Sequence, residues 1–471
     1  LKFRVFNNRD VEFLDYRSYS GRNVYCRSLC FLLYKAARDI FPECKLVIRR
    51  PISKGYYCMI DKGNGIAVDA ADVEALRARM KAIVEEDIQF RRHDVQIGEA
   101  IELFRNLGMN DKVKILETCG EVYINYYTLD KTADYYYDVL VPSTGYLKVW
   151  DISLFNGGIL LRVPDRHSPR NLAPFKEQPK TFEILKESLK WNRIMGLDNA
   201  GDVNAAFEAG KATDLIQIAE ALQEKKIVQI AEEIDSRYHD EDSPVRIVLI
   251  TGPTSSGKST FCKRLSVQLM ACGLRPVSFS TDDYFVNRLD TPKLPDGSFD
   301  FDNFEFNGKK LRLEPGSILL IEGIHALNPM LLDKIQDNVK FRIFINTITS
   351  ISLDDHNCIP TSDDRLLRRI VRDYNKGAFS ARETISNWPN VRKAEVKWIY
   401  PYQEDADVLF NSAYLIEFAV MRNHAESILR TVPKNCPEYA EAHRLLQFLH
   451  YFVPVSDKDI PQTSFMRYFI G

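Results

Sequence analysis

The chain has 471 residues, of which 45% are hydrophobic, and a formal net charge of −2 at pH 7. This length suggests about three domains, and the nearly balanced charge excludes a global attraction to nucleic acid or to an anionic membrane. The sequence contains no apolar run near the roughly 18 residues that cross a bilayer, and its opening residues do not have the charged-then-apolar pattern expected of a signal peptide. The nine cysteines form no C-x-x-C pair, so we expect buried thiols, a reducing compartment and a cytoplasmic location.

The first third of the chain mixes strand-like and helix-like segments, which is typical of an α+β unit. Strand character predominates in 45–49 and 56–60, and helical periodicity predominates in 28–41 and 73–86. Because the chain opens on Leu1, directly in a strand-like run, we expect that an N-terminal segment is missing.

A proline-rich segment follows and predicts a linker. Its prolines are Pro164, Pro169, Pro174 and Pro179. From Thr181 to about Tyr238 the sequence is polar and amphipathic, which predicts two or three helices broken near Gly201 and Gly210. We expect these helices to pack between two larger units.

The segment RIVLITGPTSSGKSTF joins an apolar run to a glycine-rich turn and then to a helix-like run. Residues 245–250 are typical of a buried parallel strand, and 259–272 are expected to be helical. The turn fits G-x-x-x-x-G-K-[ST], in which backbone N–H groups converge on phosphate oxygens at a helix N-terminus. A turn that matches by chance is the alternative. The predicted ATP-binding residues of this segment are Gly252, Pro253, Thr254, Ser255, Ser256, Gly257, Lys258, Ser259 and Thr260.

Three side chains predict a site for a magnesium-bound triphosphate. Lys258 would neutralise charge on the β- and γ-phosphates, and the Ser259 hydroxyl would bind Mg²⁺. The apolar run 317–321 leads into Glu322, an acidic residue at a strand end, as a magnesium contact requires.

The segment FSTDDYF places two carboxylates, Asp282 and Asp283, after a candidate strand at 276–280. Open α/β sheets bind ligands at the carboxyl ends of their strands, and phosphoryl transfer needs a group that accepts the proton of the attacking hydroxyl. Either carboxylate could instead cap a helix. The residues alone leave both interpretations open.

The run DRLLRRIVRD predicts a helix with several arginines on one face, because they recur at spacings of three and four. These arginines are Arg365, Arg368, Arg369 and Arg372. Arginine forks suit phosphate oxygens, and a solvated basic face is the alternative. From Pro244 to about Asn423, strands alternate with helices, which predicts a doubly wound parallel sheet.

These motifs together resemble the uridine kinase and phosphoribulokinase family of P-loop kinases. GPTSSGKST, STDDYF, DGSFDFDNFE, IEGIHALN and RLLRRIVRD occur in the family's order. The resemblance implies that Asp282 is the base for a nucleoside 5′-hydroxyl and that Asp302 holds the ribose hydroxyls. It also implies that Arg369 and Asn387 contact the nucleoside and that Arg372 contacts the ATP phosphates.

The sequence departs from that family between Asp302 and Glu322, where the family has many more residues, including an aromatic residue and a histidine against the base. Either the base-recognition hairpin has been lost, or a mobile loop is missing between Asp302 and Lys309. We expect the second. The choice between uridine and cytidine therefore cannot be made from the sequence.

The N-terminal region resembles the editing-type second domain of threonyl-tRNA synthetases over about 21–163, and this resemblance implies tRNA binding. The likeness is carried by RNVYCRSLCFLLYKA, by 73–104 and by VPSTGYLKVW. The synthetase domain has an H-x-x-x-H pair and a later cysteine and histidine; the corresponding residues here are Arg27, Phe31, Tyr136 and Leu140. Phe31 and Leu140 can neither bind a metal nor move a proton, so hydrolysis is excluded.

We therefore predict an α/β kinase preceded by an α+β editing-like unit. The predicted segments are 1–20, a remnant of a ubiquitin-like domain; 21–164, the editing-like domain; 165–243, the linker and helical region; 244–423, the P-loop kinase domain; and 424–471, a helical extension. The predicted function is ATP- and Mg²⁺-dependent phosphorylation of uridine or cytidine, with Asp282 and Lys258 as catalytic residues. Alternatives are a kinase of another small alcohol or sugar phosphate, and an ATP-switched tRNA- or RNA-binding protein. RNA contact and homo-oligomer formation stay open, and no membrane partner is expected.

Overall fold

A computed structural model describes residues 13–63, 65–242, 244–281, 314–331 and 334–471. The N-terminal elements are α1 (Tyr19–Ile40), β1 (Lys45–Ile52), β2 (Gly55–Asp61), α2 (Ala70–Glu85), β3 (Phe90–Gln96), α3 (Ile97–Asn106), α4 (Asn110–Thr118), β4 (Tyr123–Leu129), β5 (Thr132–Asp134), β6 (Asp151–Phe155) and β7 (Gly158–Arg162). The linker helices are α5 (Pro179–Met195), α6 (Ala200–Glu208) and α7 (Ala212–Tyr238). The C-terminal elements are β8 (Ile247–Thr251), α8 (Lys258–Ala271), β9 (Arg275–Ser280), β10 (Ser317–Glu322), β11 (Lys340–Asn346), α9 (Thr361–Asn375), α10 (Ala381–Trp398), β12 (Val408–Asn411), α11 (Glu417–Arg430), α12 (Tyr439–Leu449) and α13 (Arg467–Ile470).

The N-terminal region is α+β, as the sequence predicts. Its strands form a four-stranded sheet in the order β1-β2-β7-β6 and a three-stranded sheet in the order β3-β4-β5, and both sheets are antiparallel. The Ser18 hydroxyl caps α1 by accepting a hydrogen bond from the Gly21 N–H at 3.0 Å. Much of α1 is buried in the core, including Leu29 and Leu33.

The linker helices begin and end at identifiable signals. Pro179 opens α5, and Gly196 ends it with a φ of 67°. Asn199 and Asp202 form a capping box that begins α6. The breaks expected near Gly201 and Gly210 are both confirmed: α5 and α6 are separated by 196–199, just before Gly201, which is the second residue of α6, and α6 and α7 are separated at 209–211.

The C-terminal half contains a five-stranded parallel sheet in the order β12-β11-β8-β10-β9. Alternate residues of β8 face opposite sides: Val248 and Ile250 pack with α7 and α8, while Ile247 and Leu249 pack with α5 and the end of α10. A parallel sheet covered on both faces accounts for the continuous apolar sequence of this strand. The predicted doubly wound sheet is confirmed.

The linker contacts both halves, as expected. Lys114 of α4 pairs with Asp202 of α6 at 2.7 Å, and Ile227 and Ile234 of α7 pack on the parallel sheet. One hydrophobic core joins the N-terminal sheets to α9, α11 and α12. Because α11 begins at Glu417, the boundary expected at 424 falls inside a helix. No helix in the described ranges is both long enough and apolar enough to cross a membrane.

Candidate active site

The glycine-rich loop lies where the parallel sheet meets the N-terminus of α8. It follows β8, the middle strand, whose neighbours are β10 and β11. A Cβ on Gly252 would lie 2.1 Å from the Ile345 carbonyl oxygen, and a Cβ on Gly257 would lie 2.8 Å from the Phe465 ring. Gly257 also has a φ of 86° at the N-cap of α8. Both positions therefore require glycine.

The middle of the loop has the features of an anion-binding concavity. Ser255 has a φ of 59°, a left-handed turn that directs successive N–H groups to one side. The Oγ atoms of Ser255 and Ser256 are buried and have no hydrogen-bond partner among the described residues. Two unpartnered hydroxyls beside a helix N-terminus leave hydrogen-bonding capacity for phosphate oxygens.

Lys258 spans the loop from the first turn of α8. Its ammonium group donates to the carbonyl oxygens of Gly252 at 3.0 Å and Pro253 at 3.4 Å. The charge predicted to face phosphates thus lies across the mouth of the loop. Thr260 lies two residues further along α8.

Ser259 and Glu322, the two residues predicted to bind magnesium, meet beside the loop. The Ser259 hydroxyl donates to Glu322 Oε1 at 2.9 Å. Glu322 is buried at the end of β10, and its Oε2 atom has no hydrogen-bond partner among the described residues. In the part of the chain that the structure describes, no three His, Cys, Asp or Glu side chains form a metal site of their own. One hydroxyl and one carboxylate suit Mg²⁺, which takes further oxygens from phosphates and water.

Two arginines of the predicted basic face are buried under the loop. Arg365 donates to the Thr254 carbonyl at 3.1 Å and pairs with Glu395 of α10. Arg368 pairs with Glu417 of α11. Both arginines are 0% exposed, so neither belongs to a solvated face. Sequence reasoning missed Glu395 and Glu417, which lie on other helices.

The three remaining predicted ligand contacts lie on α9 and α10. Arg369 donates to Asp373 at 3.2 Å, and Arg372 donates to the same carboxylate at 2.6 Å. Asn387 is exposed on α10 and accepts from Asn390 at 3.5 Å. None of these contacts tests a role toward a ligand, so the three roles remain predictions.

The two acidic residues assigned to the acceptor, Asp282 and Asp302, lie outside the described residues. The structure brings the remaining catalytic and metal candidates, Lys258, Ser259 and Glu322, to one edge of the parallel sheet. This arrangement suits phosphoryl transfer, in which positioning and charge stabilisation do most of the catalysis.

Residues 290–416 match the Phosphoribulokinase / Uridine kinase family model. The glycine-rich loop and α8 lie upstream of the matched range, and β10, β11, α9 and α10 lie within it. The C-terminal half therefore contains a P-loop kinase region of the phosphoribulokinase and uridine kinase type.

Upstream of the kinase region, three of the four positions expected to correspond to the synthetase pocket, Phe31, Tyr136 and Leu140, belong to the large hydrophobic core. The rings of Phe31 and Tyr136 are tilted against each other with centroids 5.5 Å apart, and Leu140 is buried with them. Arg27 donates to the Val139 carbonyl at 2.7 Å. Burial raises the pKa of the Tyr136 phenol well above its ordinary value. The absence of a catalytic pocket at these positions remains a prediction.

The N-terminal region is similar to threonine–tRNA ligases. The enzyme of Fusobacterium nucleatum is 31% identical over 160 residues, which cover 33% of this chain and 25% of that enzyme. The enzyme of Carboxydothermus hydrogenoformans is 31% identical over 152 residues, covering 32% and 22%. The enzyme of Syntrophomonas wolfei is 30% identical over 201 residues, covering 42% and 30%. The chain thus spans between a fifth and a third of the length of these relatives.

Proposed function

We propose that the protein phosphorylates a pyrimidine nucleoside, uridine or cytidine, at its 5′-hydroxyl with ATP as the donor. The observation that carries the proposal is the Ser259–Glu322 pair beside the glycine-rich loop. A hydroxyl next to a carboxylate with one unpartnered oxygen suits a magnesium-bound triphosphate. The family match supports a phosphotransferase reaction in the same half of the chain.

The donor side uses the loop and its neighbours. The backbone N–H groups of 252–260 would hold the phosphates, and Lys258 would neutralise the charge that develops on them. Ser259 and Glu322 would hold Mg²⁺, which supplies charge neutralisation on the β- and γ-phosphates when bound. Arg372 would add a guanidinium on the ATP side.

The acceptor side depends on carboxylates assigned by motif. Asp282 would take the proton of the 5′-hydroxyl while the new O–P bond forms and the bond between the γ-phosphorus and the leaving ADP oxygen breaks. Asp302 would accept hydrogen bonds from the ribose hydroxyls, and Arg369 and Asn387 would contact the nucleoside. A carboxylate that accepts two hydroxyl donors selects a ribose.

The first test is the rate of ATP-dependent uridine phosphorylation by Asp282→Asn. The variant cannot accept the proton, so kcat is expected to fall by about 10²- to 10⁴-fold, while ATP affinity is retained. Asp283→Asn serves as the matched variant, because it removes the neighbouring carboxylate of the same motif. If Asp282→Asn turns over uridine at the original rate, the assigned base is wrong.

A panel of acceptors tests the substrate class. Uridine and cytidine are expected to be phosphorylated, and 2′-deoxyuridine is expected to have a lower kcat/KM because it offers Asp302 one hydroxyl fewer. A second candidate follows from the family description, which names phosphoribulokinase beside uridine kinase. Turnover of a sugar phosphate but of no nucleoside would establish that candidate and overturn the nucleoside assignment.

A second function, contact with tRNA, is favoured only by the similarity of the N-terminal region to threonine–tRNA ligases. Measuring tRNA affinity at several salt concentrations tests it, since phosphate contacts weaken steeply with salt.

A cytoplasmic location is also part of the proposal, because all nine cysteines are free thiols.

A further inference from the structure

A buried carboxylate of α10 forms a hydrogen bond with the backbone of the glycine-rich loop. Glu395 is 2% exposed, and its Oε1 atom accepts a hydrogen bond from the Thr254 N–H at 3.1 Å. The same carboxylate receives both terminal nitrogens of Arg365, one of them at 2.8 Å. Arg392 donates to Oε2 at 2.8 Å. Every oxygen of this buried charge is therefore paired.

The ion pair holds both polar groups of one loop residue. Glu395 accepts from the Thr254 N–H, while Arg365 Nη1 donates to the Thr254 carbonyl at 3.1 Å. The next residue, Ser255, has a φ of 59°, and a left-handed conformation is unfavourable for a residue with a Cβ. Two charge-assisted hydrogen bonds immediately before this turn stabilise it.

Glu395 is a charged partner at neutral pH. Burial opposes its ionisation, but Arg365 and Arg392 outweigh burial and lower the pKa of the carboxyl below its ordinary value. The Trp388 ring lies 5.3 Å from the Arg365 guanidinium, and Arg392 also donates to the Tyr400 hydroxyl at 3.2 Å. Among the described residues, Arg365 Nε has no hydrogen-bond partner, but both of its terminal nitrogens and both oxygens of Glu395 are bonded. These bonds give the cluster a defined geometry, so it can transmit the position of α10 to the loop.

A second ion pair touches the loop less firmly. Arg368 donates to the Ser255 carbonyl at 3.4 Å, but its shorter bonds go to the Ser412 carbonyl at 2.9 Å and to Glu417. It therefore anchors the turn after β12 more than the loop. Within the described part of the chain, only the Glu395–Arg365 pair forms hydrogen bonds with both the N–H and the carbonyl of a loop residue.

We propose that Glu395 is a positioning residue of the phosphate-binding loop. With Arg365 it fixes the Thr254 peptide groups, so that the N–H groups of 255–259 are already aligned when a triphosphate arrives. The inference rests on the proposed function, because it assumes that the loop binds ATP. Because the loop is aligned before binding, less conformational entropy is lost from it when the nucleotide binds.

The test compares nucleotide binding by Glu395→Gln with that by the wild type. Glutamine keeps the shape and one acceptor but loses the charge on which both arginines depend. We expect the dissociation constant of a fluorescent ATP analogue to rise by about tenfold or more, with faster amide hydrogen exchange in 252–260. KM for ATP is expected to rise while KM for the acceptor stays unchanged, a split that a general loss of stability does not produce.

Asp363→Asn is the matched control. Asp363 lies on α9, the helix of Arg365; its side chain is 3% exposed, and it pairs with Arg444 at 2.7 Å, away from the loop. We expect this variant to lower the melting temperature while nucleotide affinity and exchange in 252–260 stay at wild-type values.

The outcomes separate the two proposals. Unchanged affinity and exchange in Glu395→Gln, with normal ATP binding by the wild type, would overturn the positioning role and leave the kinase proposal standing. If the wild type binds no ATP, the kinase proposal itself fails, and the positioning role fails with it. If Glu395→Gln does not fold, Arg365→Lys is judged by the same criteria, because lysine keeps the charge but cannot contact Thr254 and Glu395 as a fork.

Discussion

Lys258 holds the loop closed on itself through its bonds to the Gly252 and Pro253 carbonyls. A bound triphosphate offers the ammonium stronger, charged acceptors, so the side chain must exchange these carbonyls for phosphate oxygens. One residue therefore stabilises the loop before binding and neutralises charge during transfer.

Lys258→Met is expected to lower kcat/KM by about 10²- to 10³-fold, the usual cost of losing one transition-state donor. Steady-state kinetics with ATP as the varied substrate measures this effect. Lys263→Met is the control, since Lys263 is exposed on the same helix. Equal rates for the wild type and Lys258→Met would contradict the role of the loop as the phosphate site.

The unpartnered Oε2 atom of Glu322 makes a separate prediction about magnesium. Glu322→Gln removes the negative charge beside Ser259, so the Mg²⁺ concentration for half-maximal activity should rise by about tenfold or more. A magnesium titration at fixed ATP measures the shift. Glu314→Gln, an exposed carboxylate just before the same strand, should leave the titration unchanged. Coincident curves for the wild type and Glu322→Gln would show that the carboxylate holds no metal.

At the scale of elements, the C-terminal segment forms one wall of the loop. Phe465 is fully buried and stacks on Phe410 with centroids 5.5 Å apart, and its ring occupies the space that a Cβ on Gly257 would need. The Arg264 guanidinium lies 5.1 Å from the same ring. The final residues of the chain thus belong to the kinase core.

Phe465→Ala is therefore expected to lower the free energy of unfolding by about 3–5 kcal/mol, because a large buried ring is replaced by a cavity. Phe465→Leu should cost less, since most of the volume is kept. Urea denaturation measures both changes. Tyr468→Ala, at a residue 38% exposed, is the control, and an equally small effect at both positions would mean that the C-terminal segment does not stabilise the core.

Elements with strong local signals were predictable from the sequence. The apolar run of β8, the turn glycines and the periodicity of α8 each reflect contacts close in the chain. Gly201 lies next to the predicted break, in the first turn of α6, where its missing Cβ lets α4 approach. A Cβ on Gly201 would lie 2.7 Å from Lys114 Cβ, so the reason for this glycine is tertiary.

The parts of the site that could not be predicted from the sequence depend on partners that are distant in the chain. Glu395 contacts Thr254 across 141 residues, and nothing local to α10 distinguishes it from a surface carboxylate. The arginines of α9 predicted a basic face, yet Arg365 and Arg368 are buried because their carboxylate partners come from α10 and α11. Helical spacing shows which residues share a face, but it does not show what covers that face.

At the scale of the whole molecule, a buried charge cluster joins the two halves. Lys112 of α4 lies 2.9 Å from Asp134 and 3.1 Å from Asp354, and all three side chains are 0% exposed. His356, which follows β11, contacts Asp134 at 2.8 Å. Because two members come from each half, separating the halves would leave buried charges without partners.

The cluster predicts how stability depends on pH. Burial opposes protonation of His356, but Asp134 outweighs it, so the pKa of the imidazole is raised. Lys112 opposes protonation of the His356 imidazole and Asp354 favours it. The centroid of the Tyr34 ring lies 4.3 Å from that of the imidazole. A raised folded-state pKa gives stability that is fully present below about pH 6.5 and is lost as pH rises through the folded-state value.

We therefore expect the difference in melting temperature between the wild type and His356→Gln to be largest near pH 6 and to shrink at higher pH. Thermal unfolding from pH 6 to pH 9 measures it. Burial opposes ionisation of Asp134, but His356 and Lys112 together outweigh it and lower the pKa of the carboxyl, so its contribution is lost only in acid. A difference that stays constant over this range would contradict a charged His356.

Lys112→Met tests whether the cluster makes the two halves unfold as one unit. The substitution leaves Asp134 and Asp354 facing each other without their shared cation, which should cost about 3–5 kcal/mol. Calorimetry is expected to show one transition in the wild type and, because the penalty falls on the junction, two separated transitions in the variant. Lys114→Met is the control, since this lysine of the same helix is 49% exposed and pairs with Asp202 outside the cluster. If Lys112→Met keeps a single transition at the wild-type temperature, the shared hydrophobic core of α1, α9 and α11 suffices to couple the halves, and the buried charges add nothing to that coupling.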